Sequence, residues 1–275
     1  MLLVRSEWSA AVRGLALLAP GGLEGWLASA PSGGRGRAAT ALVSVPGGGP
    51  RVILRRLRHG GLLGPLFGAR YGSPRRALSE LEITARLHEA GAPVPEPVFA
   101  LARRRWVGFD LALATVYEEG ATDALEFLAS SPDEPRILRA AAALGAGVRR
   151  FHEAGGRHAD LHVKNLLLRE TRAGAEAIVI DLDRGSQGAP PEVGERANEL
   201  GRLWRSLLKR GVADQVGERG IARFLDAYCA GDRGLREALA VRMPAERRKA
   251  AWHALHYLKA PRSHRPADRT SRTRR

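Results

Sequence analysis

The sequence is short of cysteine, of aromatic side chains, of long apolar runs and of acid. Its 275 residues include a single Cys, with six Phe, five Trp and four Tyr. One thiol, Cys229, excludes an intramolecular disulfide and any cysteine-based zinc cage, so nothing in the chain calls for an oxidising compartment. A cytoplasmic location is the default expectation. Cys229 lies beside Tyr228 in an apolar stretch and reads as buried and inert. The most apolar N-terminal stretch, Gly14 to Leu23, is interrupted by Pro20 and flanked by Arg13 and Glu24. It falls well short of the ~20 apolar residues that span a bilayer. Arg5, Glu7 and Arg13 are scattered through what a secretory leader would keep apolar, so no leader is expected.

Acid is the most telling shortage. Against 44 Lys+Arg stand 29 Asp+Glu, a formal charge of +15. Such an excess suits an anionic partner, although high arginine usage with no partner produces the same number, because net charge speaks to association rather than fold. With 44% hydrophobic residues the chain can bury a core. Its length suggests one large domain or two lobes of ~100–150 residues.

Two turns, Gly33 to Arg37 and Pro46 to Pro50, bracket Ala38 to Val45, and Arg51 to Leu57 follows with Val52, Ile53, Leu54 and Leu57. Strand, turn, strand is the economical reading. After Ser73-Pro74, Leu78, Leu81, Ala85 and Leu87 fall near helical spacing until Gly91 and Pro93 stop them, predicting an amphipathic helix. Pro93, Pro95 and Pro97 make the next segment extended. Val107 to Thr115 has the composition of one or two strands, and Glu118-Glu119-Gly120 forms a hinge. From Pro135 onward Leu138, Ala141, Ala142, Gly145, Val148 and His152 keep helical spacing. Leu166 to Leu168 and Ala177 to Ile180 read as two short buried strands around a Thr171 to Glu176 turn. Trp204 and Trp252 read as helix-face core residues. The expected division is a strand-rich nucleotide lobe over 1–117, a helical catalytic lobe over 118–260 and a basic, disordered tail over 261–275.

The window carrying chemistry is His158-Ala159-Asp160-Leu161-His162-Val163-Lys164-Asn165, followed by Leu166-Leu167-Leu168, and then Asp181-Leu182-Asp183 at the end of the next strand. It resembles H-x-D-L-x-x-x-N followed by D-x-G or D-x-D in the protein-kinase-like fold. Phosphoryl transfer needs a carboxylate to orient the acceptor hydroxyl and oxygen ligands for the magnesium that neutralises the phosphates. Asp160 has the first role in this pattern, and Asn165 and Asp181 have the second. The bland alternative is that Asp160 caps a turn and Asp181 ends a strand.

Val52-Ile53-Leu54-Arg55 resembles V-A-I-K with Arg in the phosphate-binding position, and Glu80 on the amphipathic helix is its natural partner. The alternative leaves Arg55 a solvated strand residue. Gly34-Arg35-Gly36-Arg37 is a candidate phosphate-covering loop carrying Gly34 and Gly36, or a plain flexible loop, since G-x-G-x-x-G is not satisfied. His152 and His162 lack a third ligand at metal-binding spacing, so His152 reads as helix packing. Asp183 is either a second metal ligand or an acceptor that orders its loop.

Taken together, these motifs are similar to the 3-deoxy-D-manno-octulosonic acid (Kdo) kinase family, within the lipopolysaccharide kinase group of the kinase-like superfamily. The resemblance spans about Gly33 to Lys209. It rests on Gly34-Arg35-Gly36, Leu54 to Leu62, Glu80 to Leu87 leading into Gly91 to Pro97, His158 to Leu168, Ile180 to Arg184, and Asn198 to Lys209. In that family the residue matching Arg55 is typically Arg as well. The resemblance implies a two-lobed α+β protein-kinase-like fold and ATP- and Mg²⁺-dependent phosphorylation of a Kdo hydroxyl on a lipid A precursor. It also implies lipopolysaccharide core assembly at the cytoplasmic face of the inner membrane, with ATP in the cleft near Val116 to Gly120. An anionic membrane surface suits the basic charge, and Arg55 to His59, Arg70, Arg75, Arg76, Arg202, Arg205 and Lys209 are candidates to face it.

Ala189-Pro190-Pro191-Glu192 begins only 189 − 183 = 6 residues beyond Asp183, little room for a polypeptide-docking loop. A small or lipid-linked acceptor is therefore favoured, and a heptose or aminoglycoside phosphotransferase is the nearest rival. Nucleic-acid binding through the Arg-rich tail is the rival of another class, opposed by few aromatics and no recognisable binding motif.

Overall fold

The structure is a computed structural model describing residues 1–17, 19, 21–29, 40–45, 49–57 and 70–242. Gly34, Gly36, Trp252 and the tail from Pro261 lie outside the described residues. So does part of the loop that follows Arg55-Arg56.

The N-terminal part is built on an antiparallel sheet of order β1-β5-β6-β3-β2, with β4 also pairing β6. Its strands are β1 (Leu2–Val4), β2 (Thr40–Val43), β3 (Val52–Arg56), β4 (Arg70–Tyr71), β5 (Pro97–Arg104) and β6 (Phe109–Val116). The expected strand–turn–strand is present, with Thr40 opposite Arg55 and Val43 opposite Val52. The single strand found within Val107 to Thr115 begins later, at Phe109, because Arg105 donates its backbone N–H to Gly108 (2.9 Å) and closes a turn at Gly108, φ +75°. β5 is a full strand where only extended chain was expected: Val98 to Ala102 is buried on both faces, so it shows no alternation to read.

Residues before Ser29, for which no elements were expected, form β1 and the short helices α1 (Ser9–Arg13) and α2 (Gly22–Ser29). Their Trp8, Val12, Leu15, Leu17 and Leu23 join Val43, Leu54 and Phe99 in one core cluster. The apolar stretch near Leu15 is thus interior packing. The amphipathic helix is α3 (Arg75–Glu89), which turns Ala77, Leu81 and Leu87 inward and lies along β5 and β6.

Beyond Gly120 (φ +70°) come β7 (Ala121–Asp123), α4 (Ala124–Ala129) and α5 (Glu134–Glu153). Asp123 and Asp133 cap the two helices, accepting from the N–H of Glu126 (2.9 Å) and Arg136 (3.0 Å). β8 (Gly156–Arg157) pairs β11 (Ser186–Gln187), and β9 (Leu166–Thr171) pairs β10 (Gly174–Val179). The β9–β10 strands run further than expected and leave only Arg172-Ala173 as the turn, because the cross-strand pair Arg169–Glu176 extends the ladder through polar residues. The described residues end in α6 (Val193–Arg210), α7 (Ala213–Cys229, interrupted at Gly217) and a helical stretch over 233–242. α5 packs on α7 through Gly145, where a Cβ would meet the Phe224 carbonyl. The core here centres on Val148, Phe151, Leu161, Leu200 and Tyr228, with Cys229 buried as expected.

Candidate functional site

The catalytic-loop window begins where β8 leaves α5 and ends where β9 starts, and its first residue is tied down on every side. The His158 N–H donates to both carboxylate oxygens of Glu199 on α6 (3.1 and 3.0 Å), and its carbonyl accepts from Arg202 one turn later (2.9 Å). The imidazole Nε2 donates to the Ile180 carbonyl (3.0 Å), while Nδ1 accepts the Asp160 N–H (3.1 Å). One neutral tautomer satisfies both contacts, and burial lowers the His158 pKa further. Glu199 is itself buried and also faces His152 Nε2 (3.3 Å), whose Nδ1 meets the Tyr228 hydroxyl (2.7 Å). Burial pushes that phenol up to about 12, so it stays protonated. His152 is therefore helix packing, as expected, and part of the loop's frame as well.

On this frame Asp160 projects outward, with its side chain 75% exposed and His162 Nε2 3.6 Å from its carboxylate. Asn165 is buried; its amide nitrogen donates to the Asp160 carbonyl (3.0 Å) and its own carbonyl accepts the Ile180 N–H (2.9 Å). That bond brings Asp181 alongside. Asp181 (φ +63°) and Arg184 (φ +58°) both occupy the left-handed region, at a cost of order 1–3 kcal/mol each. The Leu182 carbonyl holds the bend between them through the Gly185 N–H (2.8 Å).

Across the cleft, Arg55 on β3 donates to Asp181 (2.9 Å) and to Glu80 on α3. Glu80 is 3% exposed, and one of its carboxylate oxygens is buried without a partner among the described residues. Burial raises its pKa to about 7, with Arg55 drawing it back. Arg76 on the same helix makes a two-pronged pair with Asp183 (Nε to Oδ1, 2.6 Å). Of the two roles open to Asp183, the structure thus shows the loop-ordering acceptor. The structure joins Asp160, Asn165, Asp181, Arg55 and Glu80 into one connected set. It also removes Arg55, Arg56 and Arg76 from the proposed membrane face, since each is spent on Glu80, Asp181, Asp110 or Asp183.

Behind the loop an apolar cavity of about 400 Å³ is lined by Val163, Leu166, Phe127, Leu203, the half-buried Trp204 and Phe224. Its lining has no carboxylate, so the chemistry belongs to the cleft.

Among the described residues no three His, Cys, Asp or Glu side chains converge as a metal cage. The oxygens on offer are the Asn165 amide oxygen, left over by its nitrogen's bond to Asp160, and the Asp181 carboxylate. So small an oxygen set fits Mg²⁺, which keeps waters and substrate phosphates as its other ligands. Sequence reasoning missed Glu199 and assigned Arg202 to a membrane face, whereas the structure turns it onto the His158 carbonyl. Their signal was a pair of opposite charges three apart on the apolar face that carries Leu200 and Leu203.

The family described as lipopolysaccharide kinase (Kdo/WaaP) matches residues 44–228. The chain is 35% identical over 206 residues to the 3-deoxy-D-manno-octulosonic acid kinase of Xanthomonas euvesicatoria pv. vesicatoria, covering 72% of this chain and 77% of the relative. It is 28% identical over 186 residues to the protein of that name from Mannheimia succiniciproducens, covering 66% and 76%. A solved structure titled "WaaP in complex with acyl carrier protein" superposes with a TM-score of 0.58 at 22% identity, covering 92% of this chain and 98% of that one. At that identity the likeness shows the fold, which is the expected two-lobed α+β protein-kinase-like architecture.

Proposed function

Since the chain belongs to the lipopolysaccharide kinase (Kdo/WaaP) family and is a phosphotransferase with an alcohol group as acceptor, we propose that it phosphorylates a Kdo hydroxyl on a lipid A precursor with ATP. The observation that supports this most is the connected set Glu80–Arg55–Asp181 facing Asn165 and Asp160. Asp160 is the only one of these carboxylates that is largely exposed, so it is open to an incoming hydroxyl and suited to orient it and accept its proton. Asn165 and Asp181 would hold Mg²⁺, which when bound neutralises phosphate charge. Arg55, fixed by Glu80, would exchange its Asp181 contact for the phosphates, which a guanidinium grips through two donors. Gly34 and Gly36 stand as the phosphate-covering loop in this proposal. The lobe boundary falls after Tyr117, whose N–H bonds to the Arg51 carbonyl (2.8 Å), and ATP lies near Val116 to Gly120.

No helix among the described residues is long and apolar enough to cross a membrane. In this reading the protein meets its lipid-linked acceptor peripherally, at the cytoplasmic face of the inner membrane. The test is transfer from γ-labelled ATP to a Kdo-bearing lipid A precursor and to a Kdo-free one, with wild type and Asp160→Ala. Label that requires both Kdo and Asp160 is the expected result. Label appearing instead on heptose or aminoglycoside acceptors would overturn the acceptor assignment.

A further inference from the structure

Six large apolar side chains are exposed among the described residues, and two of them, Trp106 and Val107, are neighbours at one end of the N-terminal sheet. Trp106 (103% exposed) and Val107 (65%) form the tip of the β5–β6 turn, and the exposed Met1 adjoins the same end of β5, its carbonyl accepting the Ala102 N–H (2.8 Å). A lone exposed apolar residue needs no explanation, but a fully solvated indole next to a solvated valine on a projecting turn does.

The turn is built rigidly. Arg104 pairs with Phe109 in register, and the next link is the Arg105-to-Gly108 backbone bond. Beneath it the buried Asp110 accepts from Arg56 (2.7 Å) and Arg105 (2.5 Å), and Glu24 accepts from Arg103 (2.8 Å) and Arg105. Burial opposes ionisation of Asp110, yet the two guanidinium bonds hold its pKa below the ordinary carboxylate value. Three arginines thus meet two acids at the base of the turn. Arg104 is exposed and has no acidic partner among the described residues. The tip therefore presents an indole and a valine beside the Arg104 guanidinium, on a turn tied down at its base.

We propose that the β5–β6 turn is the membrane anchor of this protein: Trp106 and Val107 insert at the headgroup boundary of an anionic bilayer while Arg104 contacts lipid phosphates. This inference rests on the lipid-linked acceptor proposed above. Trp favours the bilayer interface because its ring is apolar and its N–H polar, and anionic headgroups attract adjacent Arg. An acidic protein partner would satisfy the charges, but two apolar residues on a narrow turn offer far less area than a stable protein interface needs. The anchor also sits close to the chemistry. Arg55 pairs with Leu113, four residues along β6 from Phe109, or about 13 Å.

The experiment is cosedimentation of the full chain with vesicles of phosphatidylglycerol and phosphatidylcholine in equal parts, and with phosphatidylcholine alone. It is run for wild type, Trp106→Ala/Val107→Ala, Arg104→Gln and Trp106→Phe. Wild type binds the anionic vesicles; the double variant loses about tenfold in partitioning, and Arg104→Gln loses about fivefold. Wild-type tryptophan emission shifts to the blue on vesicle binding, and that shift is smaller in Trp106→Phe. Equal sedimentation of wild type and double variant would overturn the proposal, as would no binding by wild type. So would a blue shift that follows protein concentration without vesicles. Phosphorylation of detergent-dispersed acceptor is measured on the same proteins. It stays unchanged in the variants, and its absence in wild type would sink the acceptor assignment while the vesicle results still judge the anchor.

Discussion

His158 and Arg55 face the same cleft from opposite sides. His158 is fixed by hydrogen bonds to Glu199, Arg202, Ile180 and the Asp160 N–H that involve its peptide groups and both ring nitrogens. Arg55 is fixed by ion pairs alone, one to the buried Glu80 and one to the 40%-exposed Asp181. Arg76 and Asp183 repeat the second pattern. The side proposed to orient the acceptor is thus set before any ligand arrives. The side proposed to meet phosphate is held by charges that an anionic ligand can replace, because the Arg55–Asp181 contact and the proposed Arg55–phosphate contact use the same guanidinium. Preset geometry suits the group that moves a proton, and exchangeable pairing suits the group that takes up charge.

The sharpest way to test that contrast is to neutralise the proposed reacting carboxylate. Asp160→Asn should lower kcat by about 10²- to 10⁴-fold while the melting temperature holds, since the side chain is exposed and its neighbours need only its backbone. Arg55→Lys comes next: it keeps the charge and loses the fork, so kcat/KM for ATP should fall about 10- to 100-fold with stability little changed. Glu199→Gln attacks the preset side and should reverse the signature. One buried acceptor for the His158 N–H becomes a donor, which costs roughly 1–3 kcal/mol in urea unfolding and lowers kcat without moving KM for ATP.

A gentler probe uses pH. The Glu80 carboxyl sits at about 7 in the folded protein against 4.5 ordinarily. The native state therefore binds that proton more tightly than the unfolded chain, and this group favours folding most below 4.5. The contribution is lost as pH rises towards about 7. Glu80→Gln should flatten that part of the stability profile in urea midpoints measured across the window. The smallest effect belongs to the surface. Removing the Arg51–Glu119 pair, 43% and 61% exposed, should leave melting temperature and activity unchanged within error.

What could be read from the sequence was local. The β2–β3 hairpin, helix α3 and the spacing of Asp160, Asn165 and Asp181 are written in short windows, where turn residues, helical periodicity and apolar flanks suffice. What could not be read depends on distant partners. Glu199 looks like an ordinary surface acid until α6 packs against the loop, and Asp183 does not announce Arg76, 107 residues earlier. The arginines assigned to a membrane face looked free for the same reason. Helices α1 and α2 are short, and their order comes from contacts such as the Trp8 indole donating to Glu96 (2.7 Å) rather than from their own periodicity.

The way His158 is gripped has a consequence for how this scaffold can change its task. The frame holds the loop's backbone and one imidazole, and it asks nothing of the side chains of Ala159 or Lys164 beyond room to point outward. A protein built this way can have its outward side chains exchanged one at a time without dismantling the support beneath them. New acceptors are therefore within reach of single substitutions, whereas a change at Glu199 or Arg202 would have to arrive together with a new foundation.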